Sequence, residues 1–76
     1  MSRPRKRSLT LNGHRTSVSL EDAFWRAFRD MAARREMGIN SLAAELDARR
    51  GIDAGLATAI RLAVLSDLEE RLAAAG

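Results

Sequence analysis

The sequence predicts a mainly helical fold with one short β-strand or hairpin per chain, assembled as an intertwined homodimer. Three observations point there. Thr16, Val18 and Leu20 alternate with Arg15, Ser17 and Ser19, the two-residue period of a half-buried strand. Leu20, Phe24, Phe28 and Met31 then recur every three or four residues, the period of an amphipathic helix. From Ala59 to Leu65 the chain is apolar almost all round, so that segment requires burial on several sides. A lone strand cannot satisfy its own backbone edges, and 76 residues offer little to cover them. A second copy of the chain is the cheapest source of both the missing strand and the missing cover.

Taken in order, residues 1–7 are polar, basic and hold the only proline, which predicts a flexible basic arm ahead of a domain over residues 8–76. Asn12-Gly13 is a strong hairpin signal, because a type I′ turn needs positive φ at both central positions. If the hairpin forms, Leu11 lies opposite His14, Thr10 opposite Arg15 and Leu9 opposite Thr16. Leu9 and Leu11 would then share a face with Thr16, Val18 and Leu20, and Ser8 and Thr10 would share the other with Arg15, Ser17 and Ser19. The alternative is that Asn12-Gly13 only ends a loose arm.

The first helix is expected from about Glu21 to Met37. Ser19 and Asp22 have the spacing of a capping box, Arg34 and Arg35 suit the last turn, and Gly38 suits the left-handed position that ends a helix. A short second helix is expected over roughly Asn40 to Arg50, with Asn40 as N-cap. Gly51 to Gly55 reads as a break in which Asp53 caps the next segment. The third helix is expected from about Leu56 to Ala74. Trp25 lies off the centre of the first helix's apolar stripe and reads as a packing or dimer contact.

Charge separates the two ends of the chain. The net charge is +3, yet Arg3, Arg5, Lys6, Arg7 and Arg15 stand in the first fifteen residues with no acid, and the remainder is net acidic. That asymmetry reads as an end that faces a polyanion, or as a solubilising tail. With no cysteine there is no disulfide or thiolate metal site, and the single His14 builds no metal cage. No cofactor is expected. No apolar run reaches the ~18 residues of a membrane span and no signal-peptide core follows the basic start, so a soluble cytoplasmic protein is expected. Nucleophile–base pairs with an orienting group, phosphate-cradling glycine loops and metal-spaced clusters are all missing from the pattern, which argues against an enzyme.

The run Arg15-Thr16-Ser17-Val18-Ser19-Leu20 into a helix, with Gly38-Ile39-Asn40 before the next, resembles the ribbon-helix-helix DNA-binding proteins of the MetJ/Arc type. The stretch from Arg7 to about Leu68, including Leu56 to Arg61 and Val64-Leu65, is similar to a subfamily of small stand-alone bacterial members. The resemblance implies that two chains pair their strands antiparallel and set the ribbon in the major groove of double-stranded DNA. On the matching positions Arg15, Ser17 and Ser19 would face bases, with Val18 and Leu20 anchoring the ribbon. Arginine reaches guanine O6 and N7 together, whereas short serines discriminate bases less sharply. It also implies a phosphate held at the helix start around Asn40 and Ser41, and Arg3, Arg5, Lys6 and Arg7 would add phosphate contacts from the arm. Two departures stand out: Ser19 is equally placed to cap the first helix, and the Gly51 to Gly55 break adds a helix to the usual pair. The expected function is a sequence-specific DNA-binding transcription regulator. The alternative is a dimeric protein-interaction module, antitoxin-like or adaptor, whose C-terminal helix binds another protein. Association with an anionic membrane through the basic arm lacks an accompanying apolar face.

Overall fold

A computed structural model of the chain describes residues 3–50 and 55–76. Two strands, β1 (Arg5–Leu11) and β2 (His14–Leu20), form an antiparallel hairpin, followed by helices α1 (Asp22–Arg34), α2 (Ile39–Arg49) and α3 (Leu56–Ala75). The register is Leu11 opposite His14, Thr10 opposite Arg15 and Leu9 opposite Thr16, continuing to Arg5 opposite Leu20. Asn12 and Gly13 turn with φ of 53° and 82°, the pair of left-handed residues that a two-residue type I′ loop requires. The strand that needed a partner therefore finds one within its own chain. β1 begins at Arg5, inside the stretch expected to be a free arm.

Strand parity does the sorting. Leu9, Leu11, Val18 and Leu20 face inward and are buried against Phe28, Met31 and Ala32 of α1, Leu42 and Ala43 of α2, and Ile60 and Val64 of α3. α2 packs along β1, while α3 packs against α1, α2 and β2. Trp25 is half-buried against the core and tilted over Phe28 at 6.0 Å.

Helix ends differ from the sequence reading. Glu21, in extended conformation, is the N-cap of α1, and no side chain closes that end, so Ser19 and Asp22 form no capping box. Asp22 is drawn instead to arginines of β1. α1 stops at Arg34, and the left-handed residue is Glu36 (φ 54°), not Gly38. Met37 N–H donates to the Ala32 carbonyl and Glu36 N–H to the Ala33 carbonyl, a Schellman closure that turns Met37 back onto the core. Gly38 serves as N-cap of α2, which displaces Asn40 from that role to the helix's first turn. The expected cap at Asp53 lies outside the described residues, and Gly55 precedes α3.

Arg34 anchors the end of α1 to α3. Its guanidinium donates to both oxygens of Asp67, at 3.3 and 2.6 Å, and Asp67 is buried. This hydrogen bonding, aided by the charges of Arg34, Arg71 and Arg35, holds the Asp67 carboxyl below its usual range against the opposing effect of burial.

Candidate nucleic-acid interface

The outer face of the hairpin is built by the same parity that builds the core. Lys6, Ser8 and Thr10 of β1 stand beside Ser19, Ser17 and Arg15 of β2, and all six are exposed. The surface thus carries two cations, four hydroxyls and no acid. Arg15, Ser17 and Ser19, the expected base-facing residues, are brought together on it.

Among the described residues no strand pairs with the second edge of β2, and the groups that face it follow from the hydrogen-bond alternation of an antiparallel pair. Thr10 N–H points away from β2 and donates to Asn40 Oδ1 at 2.9 Å. The Thr10–Arg15 pair is therefore not hydrogen-bonded across the hairpin. By the alternation, the backbone groups of Arg15, Ser17 and Ser19 face away from β1. The Ser19 carbonyl does so: it accepts from Arg61 of α3 at 3.3 Å. Arg61 also donates to Glu21 at 3.0 and 2.8 Å and lies over the Phe24 ring at 5.7 Å. Backbone hydrogen bonding first, and Arg61 second, lower the Glu21 pKa.

Asn40 and Ser41 stand in the first turn of α2, whose opening N–H groups no side chain caps. The Asn40 bond to Thr10 ties that helix start to the outer edge of β1, beside the basic face.

The arm residues separate. Arg3 precedes β1 and is exposed; Arg5 is exposed with a loose ion pair to Asp22 at 3.7 Å; Lys6 joins the outer face. Arg7 is turned away from the outer face and engaged within the chain. Its guanidinium donates to the Leu20 carbonyl at 3.2 Å and to Asp22, and lies over Trp25 at 5.5 Å. The hydrogen bond from Arg7 is the largest influence lowering the Asp22 pKa, with the charges of Arg5, Arg7 and Arg26 adding to it. Arg7 shares parity with Leu9, a signal readable in the sequence once the strand is carried back to Arg5.

On α3, Leu65, Leu68 and Leu72 follow Arg61 at four, seven and eleven residues, along one flank of the helix, and Leu62 borders them. All four leucines are exposed, Leu72 at 76%. Because Arg61 reaches the Ser19 carbonyl, this apolar flank adjoins the open edge of β2.

A basic β-surface carried on a three-helix scaffold defines a small class of mainly helical domains that lead with a β-ribbon. A model of the ribbon-helix-helix domain matches residues 4–68, and the chain belongs to that family. Its members generally bind DNA, as transcription regulators or antitoxins, typically dimerise, and are typically non-enzymatic. No curated protein and no solved structure matches the chain. Among the described residues, no helix is long and apolar enough to cross a membrane.

Proposed function

We propose that the chain is a sequence-specific DNA-binding protein, a cytoplasmic transcription regulator that acts as a homodimer. The observation that carries this reading is the acid-free outer face of Lys6, Ser8, Thr10, Arg15, Ser17 and Ser19 on a hairpin whose second strand has an open edge. Two copies pair through β2, with Ser17 opposite its own copy, because that register uses the outward backbone groups of Arg15 and Ser17 and the Ser19 N–H, the Ser19 carbonyl being shared with Arg61. The leucine flank of α3, contiguous with that edge, is covered by the second copy in the same interface. Arg15, Ser17 and Ser19 then face bases in the major groove, with Arg15 carrying most of the discrimination. Arg3, Arg5 and the uncapped N–H groups around Asn40 and Ser41 hold phosphates.

The test is selection of a binding sequence from a random duplex pool, followed by Arg15→Ala. This substitution should weaken binding to the selected sequence by about 1–3 kcal/mol and random DNA much less. An Arg15→Ala protein that keeps full affinity for the selected duplex removes the base-reading role.

The exposed leucines of α3 favour a second reading, a dimeric protein-interaction module whose C-terminal helix binds another protein through this flank. Affinity for duplex DNA separates the two. A dimer with no affinity for duplex DNA at low salt favours the second.

A further inference from the structure

We propose that β1 is a phosphate-facing strand: Lys6, Ser8 and Thr10 rest on the sugar–phosphate walls of the groove that β2 enters. This inference deepens the DNA-binding reading and rests on it. β1 covers one edge of β2, so pairing two copies through the other edge gives the strand order β1, β2, β2, β1. Strands lie ~4.8 Å apart, which sets the two β1 strands roughly 14 Å from each other. The major groove is about 12 Å wide. The central pair therefore fits between the walls, and the outer strands cannot follow it down to the base edges.

The chemistry of β1 matches that position. Lys6 is a strongly hydrated point charge, and Ser8 and Thr10 are short hydroxyls suited to phosphate oxygens, with no side chain shaped for paired base recognition. All three are exposed on the outward face, and each stands next to a residue of the reading strand: Lys6 by Ser19, Ser8 by Ser17, Thr10 by Arg15. Asn40 holds the Thr10 backbone, so the start of α2 continues the same phosphate-facing line beyond β1. In the sequence, Ser8 and Thr10 look like simple polar alternation. Only the dimensions of the paired hairpin give them a target.

The experiment measures binding of Ser8→Glu, Lys6→Gln and Arg15→Ala to a random-sequence 30-bp duplex and to a duplex selected from a random pool, over a salt series. Ser8→Glu should weaken both duplexes by the same factor, on the order of tenfold at low salt, leaving their ratio unchanged. Lys6→Gln, which preserves the strand in any case, should flatten the log–log salt slope by about 0.9 per protomer. Circular dichroism and mass must match the unaltered protein. If Ser8→Glu and Lys6→Gln leave both affinities and the slope unchanged while Arg15→Ala loses selected binding, the β1 role is overturned and the β2 reading stands. A change confined to the selected duplex also overturns it, since β1 would then contact bases. If the unaltered protein binds neither duplex at low salt, the DNA reading falls and the inference with it.

Discussion

Single residues decide where the chain's charges point. Arg7 and Lys6 are neighbours in a basic run, yet strand parity sends Arg7 inward to Asp22, Leu20 and Trp25 and Lys6 outward. Glu36 holds a left-handed conformation that costs a side-chain-bearing residue about 1–2 kcal/mol, and its side chain is exposed. Glu36→Gly should therefore stabilise the protein by about 0.5–1 kcal/mol after the flexibility that glycine adds to the unfolded chain, as read from the urea midpoint. Asp67 has a folded pKa below its unfolded value. The stability it contributes is complete above the ordinary aspartate range near 3.9 and is lost as pH falls through the lower folded value. Asp67→Asn should cost about 1–2 kcal/mol at pH 7, because Arg34 is partly solvated, and the loss should shrink in denaturant titrations below about pH 4. An unchanged cost at pH 3 would show that packing, not the ion pair, is responsible.

At the scale of elements, β2 and its inward face are plain in the sequence, because alternation over six residues admits one assignment. The hairpin was legible at Asn12-Gly13, including its register, but its length was not: a basic segment without apolar alternation gives no sign that Arg5 to Arg7 pair. Helix ends were the least legible. Gly38 suits a left-handed stop, yet the close return of Met37 to the core ends α1 sooner and assigns that conformation to Glu36. The role of Asn40 was hidden for a related reason. Its partner, the Thr10 N–H, is thirty residues away and becomes available only once β1 is an edge strand.

For the whole molecule, α3 meets the outer edge of β2 at Arg61, and its exposed leucines run on along the helix from there. If two copies pair as proposed, Leu65→Glu should leave the fold of each chain intact, convert the dimer to a monomer by sedimentation, and weaken DNA binding with it. A dimer that persists in Leu65→Glu would place α3 outside the interface.

The pairing of β1 with β2 also bears on how the protein assembles. A chain that donates a single strand must fold and dimerise in one event, because the strand has no structure alone. Here the hairpin closes through a two-residue turn, and its contacts are local, so it forms early and without a partner. In the proposed dimer, assembly would be the docking of two preformed halves. A folded monomer would then be populated at low concentration, and the melting temperature should depend only weakly on protein concentration. Occupancy of DNA would follow the square of that concentration, which turns a small change in synthesis into a larger change in binding.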